Sequence, residues 1–273
     1  MKVIIFYNPL KLFEKQLDEI IVLFENDNIN VIGCFPAQSK ITEEMASQSD
    51  YFVVFGGDGT VLKVAEKAAI FSKPIICLNT GNLGFLSAYS VDEIKELIND
   101  IKNGNLHFSK RYLLECSIGN KTYFVLNDVV LIKSQPLGTI DIEIKIDGSM
   151  LYSFLADGVI ISTSTGSTAY ALSAGGPIIN PNLNVIEIVP LAAHALNVKP
   201  LIIEPTHKIE VFLKTLSHDF AYVTGDGDVL YQIKTNESFV VTGSEKYIKL
   251  AQKNNGYFFD ALKQKLGFGR RFE

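Results

Sequence analysis

A chain of 273 residues, 47% of them hydrophobic, can bury one large core or two ordinary ones, which excludes a disordered or fibrous protein. Its formal charge of -5 gives no sequence-independent attraction to a phosphate backbone, so no nucleic-acid partner is expected. The apolar runs are short and interrupted and no signal-peptide layout precedes the first of them, so no membrane partner is expected and the protein reads as cytoplasmic.

Cys34, Cys77 and Cys116 are odd in number, far apart and without C-x-x-C spacing, which reads as reduced core thiols rather than disulfides or a zinc site. His107, His194, His207 and His218 lack metal-ligand spacing as well. No protein-made metal cage is expected, and a divalent metal (Mg²⁺ or Mn²⁺) should arrive with a phosphate ligand.

Along the chain, residues 3–7 read as a strand, and Leu12, Leu17, Ile20, Ile21 and Phe24 then recur at helical spacing. Residues 31–35, 51–55 and 74–78 are further short apolar runs, with helix-like material between 60 and 71. Such alternation predicts a parallel sheet in a Rossmann-like α/β domain. Ser90 with Glu93 forms a capping box, followed by an apolar stripe of Ile94, Leu97, Ile98 and Ile101 that stops before Gly104. Beyond about residue 105 the period changes to strand alternation, as in Ile142, Ile144 and Ile146 before the turn pair Asp147-Gly148. Further strands are predicted at 123–126, 159–162, 209–213, 220–223, 239–242 and 247–250, with one helical interruption at 169–172. The predicted division is an N-terminal α/β domain, residues 1–104, and a mainly β C-terminal domain, residues 105–273. The last ~18 residues are the segment able to pack back on the first domain. The basic tail Gly267-Phe268-Gly269-Arg270-Arg271 is read as exposed, with folding towards phosphates as the alternative.

Gly56-Gly57-Asp58-Gly59-Thr60 follows an apolar strand and opens a helix, at the carboxyl edge where α/β sheets bind ligands. Its glycines allow close backbone approach, and the helix N-terminus presents N–H groups to phosphate. Lys63, one turn on, supplies a cation for a transferring phosphoryl group. Taken alone, a Gly-Asp-Gly is more often a turn with a capping Asp. Leu62 stands where a dinucleotide fingerprint needs its third glycine, and no G-x-x-x-x-G-K-[ST] occurs, which argues against a hydride-transfer enzyme or a P-loop ATPase.

The chain resembles the NAD kinase family. The resemblance runs through residues 56–60, then Asn79-Thr80-Gly81-Asn82-Leu83-Gly84-Phe85-Leu86, and above all the block from Asp157-Gly158-Val159 through Ser162-Thr163-Ser164-Thr165-Gly166-Ser167-Thr168-Ala169-Tyr170-Ala171-Leu172-Ser173 to Gly176-Pro177. The first pentapeptide is shared with lipid kinases and phosphofructokinases, whereas the long block is specific to NAD kinases.

This resemblance implies an N-terminal α/β domain, a C-terminal β-sandwich domain, NAD in the cleft between them, and a homodimer or homotetramer. The implied reaction is phosphorylation of the 2′-hydroxyl of NAD's adenosine ribose by ATP, another nucleotide or polyphosphate. Carried over, Asp58 is the proton acceptor for that hydroxyl and Gly59 a neighbouring backbone contact, with Gly57 in the same loop. Phe85 belongs to the second motif. Asn127 and Asp128 match the pair that contacts NAD, and Asp157 the acid near the nicotinamide ribose or amide. Thr165, Thr168, Ala169, Tyr170, Ala171, Leu172 and Ser173 fall in the segment that meets the adenosine end. Ala192 lines the pocket, and Asp226 with Asp228 resembles an acidic turn that reaches a neighbouring subunit's site.

The chain departs from the family at three points: Asp128 stands for the usual Glu, Leu155-Ala156 precede Asp157 where many members carry an Arg, and Ser164 replaces a Pro. The hydroxyls from Ser162 to Thr168 suggest a polar concavity for ribose and phosphate oxygens. A free Asp has a pKa of about 3.9, so a role as base requires a site that raises this value, and holding the metal or the hydroxyl is the alternative role for Asp58. A lipid kinase and a non-catalytic pyridine-nucleotide sensor are the competing readings.

Overall fold

In the computed structural model, which describes residues 1–12, 14–81, 84–216, 220–254 and 256–269, β1 (Lys2–Tyr7) buries four successive side chains, from Val3 to Phe6. Burial on both faces is what a parallel strand between helices requires. There follow α1 (Glu14–Asn26), β2 (Asn30–Pro36), α2 (Glu43–Gln48), β3 (Tyr51–Phe55), α3 (Asp58–Ile70) and β4 (Ile75–Asn79). These strands lie parallel in the order β2-β1-β3-β4. The connection from β1 therefore leads to one side and that from β3 to the other. Between them the strand order reverses, and the crevice at their carboxyl ends is where such sheets take ligands.

Leu17, Ile20 and Phe24 of α1 share one core with Val3, Ile5, Val53, Phe55, Ile76 and Leu78. After the two-residue β5 (Tyr89–Ser90), the Ser90/Glu93 capping box is present, with the Glu93 carboxylate accepting the Ser90 amide at 2.8 Å. The helix it opens, α4 (Ile94–Asn103), adds Leu97, Ile98 and Ile101 to the same core and ends on Gly104, whose φ of 67° closes a left-handed cap.

The chain divides into two units: Met1–Arg111 with the described residues from Tyr247 on, and Tyr112–Lys246. The strand β6 (His107–Ile118) carries the chain from one to the other. The change of period near residue 105 marks the start of that strand, and the junction at Arg111/Tyr112 lies within it.

The second unit contains β7 (Lys121–Val125), β8 (Asp128–Lys133), β9 (Ile140–Ile146), β10 (Ser149–Ala156), β11 (Gly158–Thr163) and the short α5 (Tyr170–Ser173). Then come β12 (Ile186–Leu191), β13 (Leu201–Ile203), β14 (Ile209–Leu216), β15 (Ala221–Gly225), β16 (Asp228–Ile233) and β17 (Glu237–Gln252). One antiparallel layer runs β10-β9-β14-β17, with β6 beside β17 and β7 beside β6; the other runs β13-β12-β11-β8-β15-β16. Inward side chains of both layers, among them Ile142, Ile144, Val129, Leu131, Val159 and Ile188, form a single core, which makes the unit a sandwich. The β9–β10 turn uses Asp147 and Gly148 at φ 51° and 80°, the mirror-image turn that a two-residue hairpin prefers. Along β17 the chain returns to the first unit, where α6 (Tyr257–Leu266) buries Tyr257, Ala261 and Leu262. Among the described residues no helix is long and apolar enough to cross a membrane.

On the outer face of the second layer, α5 packs Ala171 against Val130, Ile160, Val189 and Leu191. Glu187 of β12 points to the same side, fully buried, with neither carboxyl oxygen hydrogen-bonded among the described residues. Burial pushes this carboxyl up to about 7. The unfolded chain ionises it near pH 4.3, so the native state holds one more proton between those values. Stability from this site is therefore full in acid and declines as pH rises from about 4.3 to about 7. In urea unfolding, Glu187→Gln should be roughly 2–4 kcal/mol more stable than the parent at pH 8 and nearly equal to it at pH 4. An equal difference at both pH values would contradict the buried-acid reading.

Candidate functional site

Asp58 is the first residue of α3, directly after the carboxyl end of β3, and Gly57 caps the helix in an extended conformation with no side chain to occupy its first turn. The Thr60 amide donates to Gly57 O at 2.9 Å, which leaves the Asp58 and Gly59 amides to an outside acceptor. A Cβ on Gly59 would meet nothing within 4 Å, so the backbone is open to approach there. Lys63 is half-buried one turn further along α3, and its carbonyl accepts Lys67 Nζ at 2.9 Å.

The Asp58 carboxylate is held by the second glycine motif. Its Oδ2 accepts the Phe85 amide at 2.9 Å and its Oδ1 the Leu86 amide at 3.1 Å. Gly84 is required beside it, because a Cβ there would run into the carboxylate itself. Tyr257 of α6 fastens the far side of this loop, its hydroxyl donating to Gly84 O at 3.2 Å and to Ser87 O. Lys265, also on α6, lies 3.7 Å from Asp58 Oδ2 and 4.8 Å from the centre of the Phe85 ring. Phe85 is thus a half-buried wall residue, tilted against Phe258 at 6.3 Å. Tyr257 and Lys265 were not singled out from the sequence, because a tyrosine and a lysine on a C-terminal amphipathic helix carry no local signal. Asn82 and Leu83 of the same motif, and Arg270 and Arg271 of the basic tail, lie outside the described residues.

In the second unit the backbone of residues 126–128 is the hub. Thr163 Oγ1 donates to Leu126 O at 2.7 Å, while the Thr163 amide and Ser162 Oγ donate to Asn127 O at 2.8 and 3.2 Å. From the other side, Asp226 Oδ2 and Oδ1 accept the amides of Leu126 and Asn127 at 2.8 and 2.7 Å, and the Asp226 amide returns a bond to Asp128 O at 3.1 Å. Asp226 reaches this position through a turn with φ of 49° at Asp226 and 84° at Gly227. Its carboxylate therefore clamps its own chain, whereas Asp228 is exposed. Asn127 Oδ1 is buried with no hydrogen-bond partner among the described residues. Asp128 is also buried, and desolvation together with the neighbouring Asp226 pushes its carboxyl up to about 7.

The hydroxyl-rich run folds on itself more than the sequence suggests. Ser164 Oγ donates to Leu183 O, Ser167 Oγ to Ser164 O, and Thr163 Oγ1 accepts the Gly166 amide, all within 3.1 Å. Ser162, Thr163, Ser164, Thr165 and Ser167 are buried. Short side chains next to unpaired turn amides satisfy them locally, so most of these hydroxyls shape the turn. Thr168 and Ala169 are half-buried, Tyr170 and Ser173 exposed, Leu172 half-buried, and Ala171 is core.

Asp157, Tyr170, Ser173 and Ala192 meet in a cavity of about 620 Å³ that Lys133 also lines. Asp157 Oδ1 is 2.5 Å from Lys133 Nζ, an ion pair that sequence reading missed. Only the pairing of β8 with β11 brings the two together. Ala192 holds φ 47°, a left-handed conformation that costs a non-glycine residue about 1 kcal/mol, and such strain concentrates at functional sites. The structure thus gathers Gly57, Asp58, Gly59, Lys63 and Phe85 in the first unit. In the second it separates a cavity group (Asp157, Tyr170, Ser173, Ala192) from a hub group (Asn127, Asp128, Asp226).

Residues 12–106 match the ATP-NAD kinase N-terminal domain, and residues 126–253 the ATP-NAD kinase C-terminal domain. The chain is 60% identical to an NAD kinase of Petrotoga mobilis over the whole of both chains. It is 36% identical to an NAD kinase of Thiobacillus denitrificans, covering 87% of this chain and 82% of that one. Among solved structures it is similar to an NAD kinase from Archaeoglobus fulgidus in complex with ATP, with 25% identity, a TM-score of 0.79, and coverage of 98% of this chain and all of that one. The fold of yeast NADH kinase complexed with NADH matches at a TM-score of 0.88 over 100% of this chain and 89% of that one, at 23% identity. Two domain models in the expected order and full-length identity to an NAD kinase establish that the chain belongs to the ATP-NAD kinase family, enzymes that phosphorylate NAD to NADP with ATP.

Proposed function

We propose that Asp58 is the reaction centre, accepting a hydrogen bond from the 2′-hydroxyl of NAD's adenosine ribose and aligning it with the terminal phosphoryl group of ATP. The observation that carries this reading is the clamp on its carboxylate by the Phe85 and Leu86 amides at the open N-terminus of α3. An ionised carboxylate has about four acceptor sites, so two amides leave others for a hydroxyl. A side chain pinned in this way favours orientation over proton abstraction as its main contribution. Phosphoryl transfer has a loose transition state, so alignment and charge neutralisation supply most of the catalysis. The N–H groups opening α3, with Lys63 and Lys265 nearby in the fold, are the donors offered to the phosphates.

No group of three His, Cys, Asp or Glu able to hold a metal occurs among the described residues. We assign the divalent cation, Mg²⁺ or Mn²⁺, to the phosphate donor as part of the substrate, since phosphate oxygens are the hard ligands such ions take. Asn127 and Asp128 are assigned to NAD hydroxyls, since a buried amide oxygen without a partner is what a ligand donor would satisfy. Thr165, Thr168 and Ala169 are assigned to the adenosine end; Tyr170 and Ser173, expected at that end from the sequence, line the cavity with Asp157 and Ala192 and are assigned with them to the nicotinamide end instead. Ala171 and Leu172 contribute backbone and packing rather than side-chain contacts. A cytoplasmic homodimer or homotetramer, with Asp228 reaching a neighbouring subunit, completes the reading.

Incubating the purified protein with NAD, Mg²⁺ and ATP or polyphosphate, then coupling to an NADP-specific dehydrogenase, tests activity and donor together. Binding of NAD without NADP formation would favour a sensor instead. In the same assay Asp58→Asn should lower kcat by roughly 10²- to 10⁴-fold while KM for NAD stays within about threefold. Near-normal turnover would remove Asp58 from the reaction centre.

The raised Asp128 carboxyl gives a second test. It is neutral below pH 7 and charged above, and the charged form is the stronger acceptor for a ribose hydroxyl. KM for NAD should therefore fall as pH rises through about 7, and Asp128→Asn should flatten that profile. An unchanged profile in the variant would take Asp128 out of the NAD contact.

A further inference from the structure

Within the cavity of about 620 Å³, Lys133 and Asp157 are the only charged side chains among the described residues that line it. They are in contact at 2.5 Å, and Lys133 Nζ is held in place by a further bond to Gly138 O at 3.0 Å. The Lys133 amide also donates to Asp157 O at 3.0 Å, so backbone pairing and side-chain pairing enforce one geometry. The lysine side chain is 14% exposed and the aspartate 40%, so Asp157 is the more accessible member of the pair.

An isolated carboxylate attracts a cation over several ångströms, whereas a contact ion pair is a dipole whose field falls off much faster. The cavity therefore has no net charge, and Tyr170, Leu191 and Ala192 give it a largely uncharged wall. The oxidised nicotinamide ring is a cation and the reduced ring is neutral, while the two are nearly the same size. Charge is the main property by which a pocket of this shape can tell them apart.

We propose that Lys133 is a specificity-determining residue: by neutralising Asp157 it removes the electrostatic preference for the oxidised ring, so that the enzyme accepts NADH as well as NAD. This inference rests on the reading that the nicotinamide end occupies this cavity, and it goes beyond that reading in naming what sets the redox preference.

The test measures kcat/KM for NAD and for NADH in the parent and in three variants of the full chain. Lys133→Gln leaves a net negative cavity and should raise the NAD:NADH ratio roughly five- to tenfold, mainly through KM. Asp157→Asn leaves a net positive cavity and should lower the ratio by a similar factor. The double variant restores neutrality and should return the ratio to within about twofold of the parent. That restoration is something a purely structural role for the ion pair would not produce. Because the two single variants shift the ratio in opposite directions, either one tests the proposal if the other does not fold. KM values that change in parallel for both substrates, with the ratio unmoved, would overturn the role of Lys133 while keeping the nicotinamide in the cavity. No change in any KM would overturn the placement of the nicotinamide and the inference with it.

Discussion

A single carboxylate holds the two glycine-rich loops of the first unit together. Asp58 accepts the amides of Phe85 and Leu86, so the turn after β3 and the loop after β4 are joined at the carboxyl edge of the sheet, next to the point between β1 and β3 where its strand order reverses. Backbone amides are donors that cannot rotate away, and charge-assisted bonds to them are among the stronger ones in proteins. The glycine at position 84 follows from this clamp, since any side chain there would occupy the space of the carboxylate. Tyr257 and Lys265 follow as well, because α6 closes over the loop that the clamp has positioned.

The second unit uses the same device. Asp226 spends both carboxyl oxygens on the amides of Leu126 and Asn127, and Thr163 and Ser162 take up the carbonyls of the same residues. The strand end bearing Asn127 and Asp128 is thereby rigid before any ligand arrives, which limits the ordering cost of binding. A consequence is electrostatic: placing Asp226 beside a buried Asp128 makes a second negative charge costly there. Glu187, buried with no hydrogen-bond partner among the described residues, is a further acid whose neutral form the fold favours.

Both units place flexible chemistry on a rigid frame. The parallel strands β1, β3 and β4 are buried on both faces, the sandwich shares one core between its layers, and the strained φ of Ala192 sits at the edge of the cavity. Strain of that kind persists only where the surroundings over-determine the backbone. Here β12 on one side and the Asp157 amide bonding to Leu191 O on the other supply that constraint.

Local pattern alone was enough to identify the alternation of strand and helix before residue 104, the Ser90/Glu93 cap, the Asp147-Gly148 turn and the helix opened by Asp58, because each depends on neighbours within a few residues. The long hydroxyl block likewise pointed to the family that the domain models establish. Tertiary structure decided the rest. The pairing of β8 with β11 brings Lys133 to Asp157, and the turn between β15 and β16 carries Asp226 to residues 126 and 127. Residues 257 and 265 reach Asp58's loop only because β17 returns the chain to the first unit. The hydroxyls of Ser162, Thr163 and Ser167 are legible as polar in the sequence, yet their partners are carbonyls and amides that the fold supplies. Periodicity and propensity record the interactions of residues near in sequence, whereas these contacts depend on strand register and on how distant segments fold together, which no local pattern encodes.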